Sequence, residues 1–241
     1  MQFIGTEPKI KHCEFIGSEN NIIYCEPGVR LYGCKFQFKG ENSLVYLSSG
    51  TVSITLVIGS NSLLYVGKHN YINTEDGNKL YITVGDENSV IIGSDCAIST
   101  DVSIEATDSH ALYDLTTNKR VNYPAPVLIG DHVWIGRRVM ILKGSVLSTG
   151  SVVGAGYVVA GKTIKTGEVW VGNPAEKVKD NVVYGHWDND ELFGTGTTWT
   201  QWNKSEDFKG DNAILIEDLV NNRDIEFWEN LPTNSDRFIW R

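Results

Sequence analysis

A chain of 241 residues with a net charge of −9 and no cluster of Lys or Arg makes nucleic acid or an anionic membrane a poor partner. Its 41% hydrophobic and 21% charged residues exclude a disordered chain and suffice for one large domain with an extension. The N-terminal "MQFIGTEPKIKHC" has no apolar leader core, no stretch approaches ~18 apolar residues, and Cys13, Cys25, Cys34 and Cys96 show no CxxC spacing, so a cytoplasmic protein with reduced cysteines and no membrane span is expected.

The early chain repeats a short phrase. "GSENNIIY" begins at 17, "GENSLVY" at 40, "GSNSLLY" at 59 and "GDENSVII" at 85. Each runs from Gly through polar residues with Asn into an apolar pair, the pattern of a corner followed by a strand, because Asn tolerates the left-handed backbone that corners demand. The intervals of 23, 19 and 26 residues fit one coil of a repetitive fold with insertions of varied length. Ile92, Ile98 and Ile104 then set a beat of six.

Residues 105–126 break that beat. They open on "EATDSHALYD" and close on "YPAPV", whose prolines cannot continue an internal ladder. A loop thrown outward is predicted here, carrying Asp108, His110 and Tyr113. From 129 the chain reads "IGDHVW IGRRVM ILKGSV LSTGSV VGAGYV VAGKTI", with Ile129, Ile135, Ile141, Leu147, Val153 and Val159 at every sixth position. Small or β-branched residues precede most of these by two: Val127, Val133, Val139, Ser145, Ser151 and, in the next place, Thr163. A period of six suits neither a helix nor a long strand. It suits a short strand, a turn and another short strand around a triangular prism, three hexads to a coil, which is a parallel β-helix. Trp134, between inward Val133 and Ile135, must point out of its face, and His132 is read as outward beside it.

The beat stops after "VWVGNPAEKVK". Residues 1–178 are read as the β-helix domain and 179–241 as a mostly irregular extension. That extension holds five of the seven tryptophans and one expected short helix around "NAILIEDLV". Its tryptophans are read as packing residues.

The hexads, the His-bearing loop and "GNPA" at 172–175 resemble the hexapeptide-repeat acyltransferases. That resemblance implies an all-β, left-handed parallel β-helix using acetyl-CoA as co-substrate. The narrower phrase "DSHALYD…NKRVNYPAPVLIGDHVWIG" resembles bacterial O-acetyltransferases of capsular or surface polysaccharides, including those acting on sialic acid. The match to the wider hexapeptide-repeat family covers residues ~85–178 and leaves 1–80 and the tail outside. In such relatives a loop His is the base and a Trp on a nearby coil helps the oxyanion; the matching positions are His110 and Trp134. Imidazole titrates near neutrality, as a base for a sugar hydroxyl must. Asp108 or Glu105 is a candidate to orient it. Trp134 has two open readings, an oxyanion donor or a packing contact with another subunit. His132 ranks second as a base, and with Arg137 and Tyr113 is a candidate acceptor contact.

For coenzyme A the resemblance points to the small outward residues Gly154, Ala155, Gly156 and Ala160, which expose main chain to pantetheine amides. Lys162 and Lys165 then meet phosphates, and Asn173 and Pro174 lie at the prism's end. Cys96, Ser145 and Ser151 occupy inward places, which favours direct transfer over an acyl-enzyme. A homotrimer with sites between subunits is expected, since one flat face offers no cleft. The runner-up is an N-acetyltransferase of a nucleotide-linked amino sugar. A zinc lyase on the same fold fits less well, because His12, His69, His110, His132 and His186 lie at least 22 residues apart, and no metal site is expected. A non-catalytic scaffold leaves His110 and Trp134 without a role.

Overall fold

The computed structural model describes residues 1–73 and 79–185, with the short strands Ile214–Leu215 and Phe238–Ile239. The chain winds into a left-handed parallel β-helix with three faces. The first face stacks eight strands, from Gln2–Gly5 to Thr163–Ile164, and the third stacks seven, from Glu14–Ile16 to Val158–Val159. The second face comes in two tiers. Three strands, Lys9–Lys11, Val29–Tyr32 and Gly50–Val52, precede a six-stranded tier that starts at Tyr71–Ile72. The His69 amide donates to the Ser49 carbonyl at 3.2 Å and ties the tiers together.

The six-residue beat is the inward ladder. Ile129, Ile135, Ile141, Leu147, Val153 and Val159 are all fully buried. Each stacks on its counterpart one coil away, as Ile98 pairs with Ile135 and Ile135 with Val153. The expected phase fails at one place. Leu128 pairs with Val146 but Val146 with Thr163, so the coil shortens from 18 to 17 residues. Thr163 is therefore exposed and Ile164 takes the inward position. The short turn passes through Gly161, whose φ of 58° is left-handed.

The early phrase marks one corner of each coil that carries it. Asn42, Asn61 and Glu87 adopt left-handed φ of 58°, 54° and 53° before the apolar residues. The residue that follows each is buried and bonded along the helix axis. Ser43 Oγ donates to the Gly59 carbonyl at 2.5 Å and accepts from the Ser62 amide at 3.0 Å, and Asn21 Oδ1 accepts from the Ser43 amide at 2.9 Å. A corner polar group is thus satisfied by its neighbours one coil above and below. The tyrosines of the same phrase form an outer ladder, Tyr24 on Tyr46 at 4.8 Å and Tyr46 on Tyr65 at 5.3 Å between ring centroids.

"GNPA" does close the prism. The Ala175 amide caps the Val158 carbonyl at 2.9 Å, and Glu176–Lys179 turns back antiparallel on Val169–Val171. The helix expected around "NAILIEDLV" is corrected in part. Ile214–Leu215 is a strand paired with Phe238–Ile239, and the rest of that stretch lies outside the described residues, as do Trp187, Trp199, Trp202, Trp228 and Trp240. No helix among the described residues is long and apolar enough to cross a membrane.

Ile141 tests the ladder, since Asp there would bury an unpaired carboxylate at a cost of several kcal/mol. Ile141→Asp is expected to be insoluble or to lose its far-UV dichroism. A soluble variant with the wild-type spectrum contradicts the inward assignment.

Candidate functional site

The loop leaves the third face after Ser103–Glu105 and rejoins the first at Val127–Ile129. It therefore stands on the edge between those faces. Its tip is a small antiparallel hairpin, with a bridge between Tyr113 and Arg120. Tyr113 is exposed, and the Arg120 guanidinium lies 5.2 Å from the centre of the Tyr123 ring.

One buried side chain organises the base of the loop. Asn122 donates from Nδ2 to Asp108 Oδ2 and to the His110 carbonyl, both at 2.7 Å, while its Oδ1 accepts from the Leu112 amide at 2.6 Å. Asn122 thereby grips residues 108, 110 and 112 at once. The Asp108 carboxylate is also bound by Lys143 Nζ at 2.5 Å, on the next coil. The Lys143 ammonium, with help from the Asn122 amide, outweighs partial burial and holds Asp108 below the usual carboxylate range. The Asp108 side chain pins the loop, and the residue meets His110 through the backbone, where the His110 amide donates to the Asp108 carbonyl at 2.6 Å. The His110 side chain is exposed, and its imidazole has no hydrogen-bond partner among the described residues.

His132 is the opposite case. The hexad pattern sets it outward and available, but it is buried to 1% exposure. Its left-handed corner (φ 52°) turns the ring under Tyr184, stacked at 4.2 Å. Nδ1 lies 3.2 Å from Asp95 Oδ2 and Nε2 lies 3.0 Å from the Tyr184 carbonyl, so both nitrogens face acceptors and neither is free for a substrate proton.

Trp134 does point outward, on the second face between Ala97 and Val152, and is 43% exposed. Its ring lies 5.8 Å from Tyr184. It lines a groove of about 1140 Å³ between the second face and residues 182–185, with His69 and Tyr71 towards the N-terminal coils and Lys179 at the other end. His110 stands on the edge opposite this face, so a single chain does not unite the two.

The coenzyme A candidates divide between edges. Gly154, Ala155 and Gly156 sit where the second face turns into the third, beside Arg137, whose carbonyl accepts from the Gly156 amide at 2.7 Å. Asn173 and Pro174, joined by a cis peptide, lie at the same edge one coil on, where Ala175 caps Val158. Gly156 has open space where a Cβ would stand, so a ligand can approach the main chain closely there. Ala160 and Lys162 fall on the other edge, the one that carries the His110 loop, and Lys165 on the third. Gly161 approaches Gly144, next to Lys143, which brings that pair one coil from the loop's anchor.

The inward nucleophile candidates are closed off. Cys96 is fully buried and burial pushes its thiol far up, while Ser145 Oγ donates to the Val159 carbonyl at 3.2 Å in the core. Among the described residues no three His, Cys, Asp or Glu are placed to hold a metal ion. Sequence reasoning missed Asn122, Lys143 and Tyr184. Each acts through tertiary contacts that no local pattern signals.

Comparison with known proteins bears on this arrangement. The chain is 36% identical over 169 residues to a polysialic acid O-acetyltransferase of Neisseria meningitidis, spanning 69% of this chain and 76% of that protein. It is 43% identical over 110 residues to a polysialic acid O-acetyltransferase of Escherichia coli O1:K1 / APEC, spanning 46% of this chain and 36% of that protein. Among solved structures it superposes on the polySia-specific acetyltransferase NeuO with a TM-score of 0.69 at 27% identity, over 79% of this chain and 87% of that one. It superposes on the polysialic acid O-acetyltransferase OatWY with a TM-score of 0.66 at 23% identity, over 84% and 100%. No family model matches the chain.

The loop anchor has a pH signature of defined sign. A carboxylate whose value is lowered in the folded state stabilises above its ordinary value and loses that contribution as pH falls through the lowered one. The Asn122 side-chain amide resonance should therefore hold steady through the usual carboxylate range and move only below it. A midpoint at an ordinary Asp value would sink the Lys143–Asp108 anchor. At neutral pH, Asn122→Ala should speed hydrogen exchange at the Leu112 amide while leaving the coil strands protected.

Proposed function

The chain belongs to the polysialic acid O-acetyltransferase family of hexapeptide-repeat enzymes, and from that premise we propose that it moves acetyl from acetyl-CoA to a hydroxyl of a sialic acid polymer, with His110 as general base. The observation that carries the assignment is the contrast between two histidines. His132 has both ring nitrogens against acceptors under Tyr184, whereas the backbone of His110 is clamped and its ring is free at the surface.

In the transfer, the acceptor hydroxyl oxygen attacks the thioester carbonyl as His110 takes its proton. A tetrahedral oxyanion forms and collapses with cleavage of the C–S bond. The protonated imidazole then returns the proton to the leaving thiolate of coenzyme A. The Trp134 indole supplies one N–H donor for the oxyanion and a flat wall for the sugar. Asn122, Lys143 and Asp108 act as positioning residues. The exposed main chain at Ala155 and Gly156, with Asn173 and Pro174 at the same edge, suits pantetheine, while Lys162 and Lys165 suit phosphates. Four free cysteines accord with a reducing compartment, the cytoplasm, where acetyl-CoA is made.

Placing His110 on the edge opposite Trp134 favours a homotrimer. Three-fold packing can lay the loop of one subunit against the second face of the next, where neither subunit has a complete site alone.

His110→Ala should cut turnover by about 10²–10⁴-fold with little change in acetyl-CoA affinity, and Trp134→Phe should separate the indole donor from stacking. Co-expressing His110→Ala with Trp134→Ala subunits gives a sharper readout. If each site takes its His and Trp from different subunits, random mixing restores about a quarter of wild-type activity, since one pairing in four is intact. Light scattering should report three chains. A fully active monomer, or mixed subunits with no recovered activity, contradicts the shared site.

A further inference from the structure

The outer side of the second face carries a column of side chains that leads to Trp134 and that, up to that residue, the transfer chemistry does not use. Lys9 lies directly opposite Arg30, and Lys11 opposite Tyr32, on neighbouring parallel strands. Like charges placed opposite each other on a sheet are destabilising unless something compensates them. Here nothing does among the described residues, where none of Lys9, Lys11 and Arg30 is in an ion pair, although Lys35, Lys68, Arg138, Lys143 and Lys177 each are. Arg30 instead donates from Nε to Thr51 Oγ1 at 2.9 Å, and Lys11 Nζ lies 5.5 Å from the centre of the Tyr32 ring. All this occurs in a chain whose net charge is −9.

The aromatics continue the column. Tyr32, Tyr71 and Trp134 are 47%, 59% and 43% exposed, far more than rings of that size in the core. Tyr71 and Trp134 both line the groove, and in register Tyr71 pairs with Ala97 and Ala97 with Trp134. The two tiers of the face are joined by the His69–Ser49 hydrogen bond, so the column runs from the first coil to the groove without leaving the face. With strands about 4.8 Å apart, the five steps from Lys9–Lys11 to Trp134 cover roughly 24 Å.

We propose that this face is an extended binding track for a polyanionic glycan, in which Lys9, Lys11 and Arg30 hold acidic groups of residues remote from the one acetylated. Tyr32, beside the cations, and Tyr71, between them and Trp134, lie under sugar rings. The track rests on the polysaccharide acceptor named above and adds where the polymer lies. A sialic acid polymer brings one carboxylate per residue, so a cation row spaced along the strand-to-strand direction relieves its own repulsion only when such a chain is bound. The acceptor is then graded by length, because a short oligomer reaches Trp134 without reaching Arg30.

The test compares polymer and short oligomer acceptors on wild-type protein, on the single variants Lys11→Glu and Arg30→Glu and their double variant, and on Lys39→Glu on another edge, a control matched in charge to each single variant. The double variant should raise the polymer KM about tenfold at low salt, with kcat and the oligomer KM unchanged, and this difference should shrink as salt rises. The control should behave as wild type. An unchanged polymer KM, or an equal loss on both acceptors, overturns the track while leaving the acetyl transfer intact. If wild-type protein acetylates no sialic acid polymer, the acceptor reading fails on its own. The track then stands on affinity electrophoresis in gels containing polysialic acid: retardation of the wild type but not of the double variant keeps it, and equal mobility overturns it.

Discussion

Coil-on-coil registry governs this molecule. In a parallel β-helix the strand amides bond to the coil above or below, so each side chain is held over its own counterpart one coil away. Ile98, Ile135 and Val153 form one such stack, and Tyr24, Tyr46 and Tyr65 another on the outside. A residue inserted within a strand would turn every later inward side chain out, so length changes are confined to corners and edges. The 105–126 loop and the shortened turn at Gly161 both obey this rule. The loop is the larger departure, yet the Val127–Ile129 strand resumes on the Ser89–Ile92 strand without a shift of face.

The same registry explains why the corners are polar. Asn21, Ser43, Ser62 and Asn88 are all buried, where an unbonded amide or hydroxyl would be costly. Their side chains reach the main chain of adjacent coils: Asn88 Nδ2 donates to the Ala106 carbonyl at 3.1 Å and Ser62 Oγ to the Gly85 carbonyl at 2.6 Å. One corner later, His69, Asp95 and His132 all take the left-handed backbone. His132 therefore sits where it does for conformational reasons, and Tyr184 and Asp95 then satisfy a ring that the corner has already placed.

Much of this fold is legible in the order of residues alone. The hexads from Ile129 to Val159 carry their own phase, because burial in this fold depends only on position within the coil, and the outward setting of Trp134 follows from it. The slip at Thr163 is not legible, since Thr and Ile are both acceptable strand residues and only pairing to Val146 decides between them. Around "NAILIEDLV" a short apolar run fits a helix or a strand equally, and its partner at Phe238–Ile239 lies far along the chain. The site is harder. His110 can be picked out from its loop, but the ring of His132 is covered by a tyrosine 52 residues away, and Asn122 looks like any other loop asparagine until its three hydrogen bonds are seen. Local periodicity reports burial within the coil; it is silent on what folds back over the coil.

For an acidic protein, the proposed acidic polymer acceptor presents a conflict only if charge is averaged over the molecule. At physiological salt the Debye length is about 8 Å, well short of the roughly 24 Å from Lys9–Lys11 to Trp134. A bound glycan therefore responds mainly to the charges on the face beneath it. Several carboxylates are engaged elsewhere: Glu14 with Lys35, Glu26 with Tyr46 and Lys68, and Asp95 with His132. The net charge of −9 then acts at longer range, discouraging nonspecific association with other polyanions, while the second face keeps a local sign of its own. A flat β-helix face suits this division, because strands repeated at constant spacing can present charges and rings in a row, as a repeating polymer presents its carboxylates.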